Sequence, residues 1–187
     1  LIEDGDDVVA PGEVELTVKS GEKVTVEARR PYMEHLLQLV DTAAIAAAGL
    51  KVIVDPMHGA GRGYLEEILT GCGVQVDVIR GNRDPLFGGI LPEPTAGSLG
   101  QLAQQVIAGG ADLGLALDGD ADRFGIIDRD GTFISPNQFL PLLYYHQLTA
   151  RGQHGPVART VATTHLLDRL AAAGNQKAYE TPVGFKY

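Results

Sequence analysis

The chain has 187 residues, with 15 Lys and Arg against 24 Asp and Glu, for a formal charge of −9; this acidic balance disfavours the phosphate backbone of a nucleic acid as the main partner. Hydrophobic residues make up 44% and aromatics only 6%, with no Trp, so the core has to be built from Val, Leu, Ile and Ala, as α/β proteins build theirs. Apolar runs are broken well before the ~20 residues of a membrane span, no basic stretch precedes an apolar leader, and the lone Cys72 can form neither an internal disulfide nor a cysteine zinc cage, which points to a reducing cytoplasm.

In chain order, residues 1–30 form an acidic arm. Within it, the alternation in Val14-Glu15-Leu16-Thr17-Val18 and Val24-Thr25-Val26, around Ser20-Gly21, predicts a short hairpin. Two strands alone are marginal, so this hairpin is expected to dock elsewhere. From Pro31 the spacing of Met33, Leu36, Leu37 and Val40 is helical, and Asp41 is placed to cap a helix over 42–48 that stops at Gly49. A strand–helix alternation follows: strand 51–55, helix 64–69 ending at Gly71, and strand 74–79. Residues 81–97 hold Pro85, Gly88, Gly89, Pro92 and Pro94, too much punctuation for a regular element. Ser98 reads as the cap of a helix to Ile107, with strands at 112–117 and 124–127 after it. The last of these turns through Arg129-Asp130-Gly131 into a hairpin with Thr132-Phe133-Ile134. A helix from Pro136 to Leu148, a strand at 157–161, a helix at 164–173 and a strand at 177–180 complete the chain.

This order implies an α/β fold: a three-layer α/β/α unit with a mixed, mostly parallel sheet, an incomplete second α/β unit, and the N-terminal extended arm. The expected division is 1–30, 31–132 and 133–187. Ligands of such sheets meet the carboxyl ends of strands, which directs attention to the loops at Asp55, Asp118 and Thr163.

One of these loops carries an unusual charge pattern. Directly after the apolar strand, Asp118-Gly119-Asp120-Ala121-Asp122-Arg123 places three carboxylates at every second position. They repel one another unless a cation lies among them. The small Gly119 and Ala121 let the loop curl so that one oxygen from each Asp meets at a point. Oxygen-only ligation fits Mg²⁺, which completes its shell with phosphate oxygens or water, and Arg123 adds a fork of donors suited to a phosphate beside it. A calcium EF-hand loop is excluded, because its sixth and twelfth positions fall on Arg123 and Arg129 instead of Gly and Glu. A haloacid-dehalogenase-type phosphatase, with Asp118 as nucleophile, is the alternative, although that family expects Thr or Val where Asp122 stands. A non-catalytic α/β binding domain is the other.

The aspartate loop resembles the metal-binding loop of the α-D-phosphohexomutase family, the phosphoglucomutases and phosphomannomutases. Further strings resemble the family in the same order: Val54-Asp55-Pro56-Met57-His58-Gly59-Ala60-Gly61, Pro92-Glu93-Pro94, Gly110-Ala111-Asp112-Leu113-Gly114 and the terminal Thr181-Pro182-Val183-Gly184-Phe185-Lys186-Tyr187. The resemblance implies an enzyme that moves a phosphoryl group between O1 and O6 of a glucose or mannose phosphate through a phosphoserine and a bisphosphate. In that picture Asp118, Asp120 and Asp122 hold Mg²⁺ and Arg123 contacts the phosphate or sugar. Gly184 admits the substrate to the backbone, and Lys186 is a charged contact or proton-transfer group. His58 reads first as a residue that hydrogen-bonds its own loop, with a place facing the cleft as the alternative, and Arg62, just inside the following helix, is a cleft candidate on the same footing.

The family's Thr-Ala-Ser-His-Asn-Pro-like serine loop and its Gly-Glu-x-Ser-Gly-His-like sugar-reading loop are absent from these 187 residues. The resemblance therefore implies the middle of such an enzyme: a whole second domain, the opening of a third, and a dependence on the remaining domains for turnover.

Overall fold

The computed structural model describes residues 13–17 and 19–184. Strands β1 (Glu13–Thr17) and β2 (Lys23–Glu27) pair antiparallel, and Gly21 takes the positive φ of +82° that the turn needs. The hairpin forms as its alternation predicts, but every residue of β2 is exposed, so the expected docking of this strand is not seen. Helix α1 (Arg29–Leu39) leads into α2 (Thr42–Ala47). Asp41 caps α2 as expected, its carboxylate accepting the Ala44 N–H at 2.9 Å.

The central sheet has the strand order β4–β3–β5–β6–β7, made of β3 (Lys51–Asp55), β4 (Gln75–Val78), β5 (Leu113–Leu117), β6 (Phe124–Asp128) and β7 (Phe133–Ile134). β3 runs parallel to both β4 and β5. β5–β6 and β6–β7 are antiparallel. The sheet is thus mixed, and its parallel half comes from the segments that are separated by helices.

Alternation along β3 builds the two faces. Val52 and Val54 enter one apolar cluster with Cys72 and Val74, against Leu37, Ile45, Leu65 and Leu69 of α1, α2 and α3 (Leu65–Gly71). Ile53 enters the other, with Leu99, Leu102, Val106 and Ile127, under α4 (Gly100–Gly109). Small residues on the sheet let α4 approach closely: a Cβ on Gly114 would lie 2.8 Å from Val106 and 2.9 Å from Leu102. Each buried Leu or Val here is worth about 1.5–3 kcal/mol.

The residues before α4 differ from the sequence expectation. Ser98 is not its cap; its Oγ donates to the Glu93 carbonyl and accepts the Thr95 N–H at 2.9 Å, closing the preceding loop instead. Phe87–Gly89 adds one 3-10 turn to the otherwise irregular 81–97 stretch.

The second unit holds α5 (Pro136–Thr149), β8 (Val157–Thr160), α6 (Leu166–Ala173) and β9 (Ala178–Thr181), with β8 and β9 parallel. Gln138 starts α5 by accepting the Ser135 N–H at 2.9 Å. The buried guanidinium of Arg159 joins β8 to α6 and β9 through Asp168 (Nε–Oδ1 2.7 Å, Nη2–Oδ2 2.6 Å) and Glu180 (2.8 Å). Among the described residues no helix is long and apolar enough to cross a membrane.

Candidate metal centre

Parallel pairing of β3 with β5 brings their carboxyl ends side by side, so the loop after Asp55 and the loop after Leu117 share one edge of the sheet. The second of these is a hairpin loop, because Leu117 pairs with Phe124 across antiparallel strands. Six residues close it: Asp118 to Arg123.

The loop is clamped on two sides. The Ala60 N–H donates to the Gly119 carbonyl at 2.9 Å, and the Gly119 N–H donates to the Pro92 carbonyl at 3.0 Å. Gly59 approaches so closely that a Cβ there would lie 2.6 Å from the Gly119 oxygen and 2.8 Å from that of Asp118. Inside the loop, Ala121 has φ +63°, a left-handed conformation that costs a non-glycine residue about 1–3 kcal/mol. The curl expected from small residues is therefore present, and it turns at Ala121.

The curl brings one carboxylate oxygen each from Asp118, Asp120 and Asp122 within 4.8 Å of one another. Asp118 is 1% exposed while its two neighbours face solvent. Asp118 Oδ1 accepts the Arg123 N–H at 3.0 Å and Oδ2 accepts Arg123 Nε at 2.9 Å. Burial pushes the Asp118 carboxyl up, but the main-chain N–H and guanidinium of Arg123 outweigh it and hold the group below the ordinary carboxylate range. Asp122 moves the other way, raised chiefly by the negative charge of Asp120. Such a set of hard oxygen donors, whose mutual repulsion Arg123 relieves only in part, suits a hard divalent cation. The residues present therefore fit Mg²⁺.

Arg123 also donates through Nη1 to Glu93 Oε1 at 2.5 Å, a contact that only the folding back of the 81–97 stretch creates. Asp118 and then Glu93 raise its affinity for its proton. A recess of about 510 Å³ lies beside it, lined by Glu93, Pro94, Thr95, Asp122, Phe124 and Pro136 among others.

The other loop residues serve the scaffold. Asp55, fully buried, accepts Arg80 Nε at 2.9 and 3.1 Å and the Met57 N–H at 3.0 Å, which shapes the turn carrying Gly59. His58 Nδ1 lies 3.0 Å from the Asn82 carbonyl, and Arg62 Nη1 donates to the carbonyls of His58 and Gly59. Thr163 Oγ1 lies 3.1 Å from Thr160 Oγ1 in the second unit. Gly184 has φ +104° with open space where a side chain would stand, so the backbone conformation is what calls for glycine there. Lys186 lies outside the described residues. Sequence reasoning noted Glu93 and Arg80 only within strings or not at all, because an acid or an arginine in a loop carries no signal until its partner is known.

Comparison with known proteins bears on the chain as a whole. Residues 30–131 match the model of the phosphoglucomutase/phosphomannomutase α/β/α domain II, and residues 135–187 that of domain III. The chain is 36% identical over 155 residues to a phosphoglucomutase/phosphomannomutase of Thermococcus kodakarensis, covering 83% of this chain and 34% of that protein. It is 34% identical over 151 residues to human phosphoglucomutase-1, covering 74% and 26%. A solved structure from Thermus thermophilus, described as a phosphomannomutase, superposes with a TM-score of 0.79 at 34% identity, over 86% of this chain and 37% of that one. The chain thus spans about a third or less of the length of these relatives. On its matched domains and its fold alike, the chain belongs to the phosphoglucomutase/phosphomannomutase family, the α-D-phosphohexomutases.

Proposed function

We propose that this chain supplies the magnesium loop of a phosphohexomutase, an intramolecular phosphotransferase that interconverts hexose 1-phosphate and hexose 6-phosphate of glucose or mannose through a phosphoserine and a bisphosphate, in the cytoplasm. The observation that carries this reading is the gathering of the Asp118, Asp120 and Asp122 carboxylates within 4.8 Å beside an arginine whose orientation is set by Asp118. When bound, the metal withdraws charge from phosphoryl oxygens, the part of phosphoryl transfer where electrostatics count most. Asp118, Asp120 and Asp122 hold it. Arg123 binds and orients the phosphate or the sugar next to it; Gly184 lets the substrate reach the backbone, and Lys186 follows as a charged contact or proton-transfer group. The serine that carries the phosphoryl group belongs to a part of the parent enzyme that these 187 residues do not contain, so the chain alone is expected to be inactive. The divisions 1–30, 31–132 and 133–187 are the parts we assign to the end of one domain, a second domain and the opening of a third, except that Phe133 and Ile134 pair into the sheet of the second.

The phosphatase reading has less behind it, because both matched domain models, over residues 30–131 and 135–187, are those of phosphoglucomutases and phosphomannomutases.

Calorimetry with Mg²⁺ tests the metal assignment. Weak binding is expected, because a phosphoserine oxygen is missing from the ligand set, and Asp120→Asn should abolish it. Heat of binding that survives Asp120→Asn would place the metal elsewhere. Conversion of glucose 1-phosphate to glucose 6-phosphate by the purified chain would overturn the expected dependence on the missing serine.

A further inference from the structure

We propose that Glu93 is a positioning residue that holds the Arg123 guanidinium in one orientation, so that its remaining nitrogen, Nη2, is presented to an anion beside the aspartate cluster. The inference rests on the metal–phosphate reading above and extends it to a residue outside the aspartate loop.

The Arg123 side chain is 57% exposed, and a long exposed side chain ordinarily samples many rotamers, with about 2 kcal/mol of entropy to lose on being fixed. Here two carboxylates from separate segments take two different nitrogens. Asp118 accepts Nε at 2.9 Å and Glu93 accepts Nη1 at 2.5 Å. A planar guanidinium pinned at two of its nitrogens has its third fixed by covalent geometry. Among the described residues Nη2 donates to no protein acceptor, so its two N–H groups remain for a ligand with oxygens in the matching plane, as phosphate has.

Glu93 is itself anchored. It stands between Pro92 and Pro94, whose rings restrict the backbone. Its carbonyl accepts Ser98 Oγ, its N–H donates to the Leu91 carbonyl at 2.8 Å, and the Pro92 carbonyl accepts the Gly119 N–H at 3.0 Å. The segment that carries the Glu93 carboxylate is therefore tied by its main chain to the loop that carries Arg123.

Charge and position make opposite predictions, which allows a clean test. Glu93 is an anion next to a proposed anion site; if it acted by charge alone, its removal would strengthen phosphate binding. If it acts by position, its removal weakens binding, and a neutral acceptor of the same length restores it. The 187-residue chain is titrated with inorganic phosphate in the presence of Mg²⁺, following the Arg123 Nε–H resonance by NMR, which is assigned by its loss in Arg123→Lys. In the parent chain a distinct resonance that shifts with phosphate is expected. In Glu93→Ala it should broaden towards the averaged arginine position, with phosphate affinity about 3–10-fold lower, the worth of roughly one hydrogen bond. Glu93→Gln should restore both the resonance and the affinity. Glu93→Leu, which keeps the bulk without the acceptor, carries the same expectation as alanine should alanine disturb the proline-flanked segment. An unchanged resonance, or phosphate binding equal to or tighter than that of the parent in both non-accepting variants, overturns the role of Glu93 alone. A parent chain that does not respond to phosphate with Mg²⁺ overturns the metal–phosphate reading, and this inference with it.

Discussion

Around β3 and β5 the chain is held by apolar burial: Val52, Val54, Leu99, Leu102, Val106 and Ile127 are each at most 1% exposed, with helices covering both faces of the sheet. Around β8 and β9 the apolar enclosure is smaller, with Leu167 and Ala171 buried, β9 exposed along its length, and a buried Arg159 bonded to Asp168 and Glu180 at the junction of the elements. Burial of hydrocarbon is non-directional and tolerates neither voids nor excess. A guanidinium at the centre of three elements works differently, since its geometry selects one arrangement while its desolvation offsets much of the gain. The aspartate loop grows from the apolar unit, where its backbone is clamped by packing. The segment leading to Gly184 grows from the charged one.

Substitutions can break this contrast. The largest effect is expected from Leu102→Ala, which leaves a cavity under α4 and should cost about 2–5 kcal/mol in urea unfolding; Leu142→Ala, at a residue that is 60% exposed, should stay within about 0.5 kcal/mol. Equal losses at the two sites would show that burial does not set the cost of losing a leucine here. Next in size is Gly59→Ala. Its Cβ would meet two main-chain oxygens of the aspartate loop at 2.6 and 2.8 Å, neither of which can rotate away, so about 1–3 kcal/mol is expected, together with weaker Mg²⁺ binding. Unaltered Mg²⁺ affinity in a destabilised variant would separate the clamp from the metal site.

The smallest effect should depend on pH. The Arg159 side chain, and then His165, hold the Asp168 carboxyl well below the ordinary carboxylate range. A depressed folded-state value means that the stabilisation is fully present above the unfolded value of about 3.9 and is lost as pH falls below it. The Tm difference between the parent chain and Asp168→Asn should therefore shrink as pH falls below about 4. A difference that does not depend on pH would mean that the pair acts through packing and not through charge.

Much of the fold was legible because local signals agreed with tertiary need. β3, α5 and the Asp41 cap follow from a β-branched run, a proline at the helix start and an acidic cap residue. Ser98 misled because a serine before an apolar helix has two uses, and only the position of the Glu93 carbonyl decides between them. The hairpin β1–β2 was legible in its alternation, but where its second strand would sit was not. In the site, Asp118, Asp120, Asp122 and Arg123 stood out because like charges so closely spaced need a reason. Glu93, Arg80 and Arg159 did not stand out, because each is meaningful only through a partner: 30 residues away for Glu93, 25 for Arg80 and 9 for the Asp168 partner of Arg159.

By itself the sequence determined that the core is aliphatic, that strands and helices alternate, and that three carboxylates crowd one loop, since composition, periodicity and charge spacing are local properties. The tertiary structure decided that this loop is the turn of an antiparallel hairpin. It also decided that the loop is pressed against Gly59 and Pro92 from neighbouring segments, and that its arginine is shared between Asp118 and Glu93. The physical reason is that strand direction and the approach of distant segments depend on which surfaces bury each other, a property of the whole chain that no short stretch of residues carries.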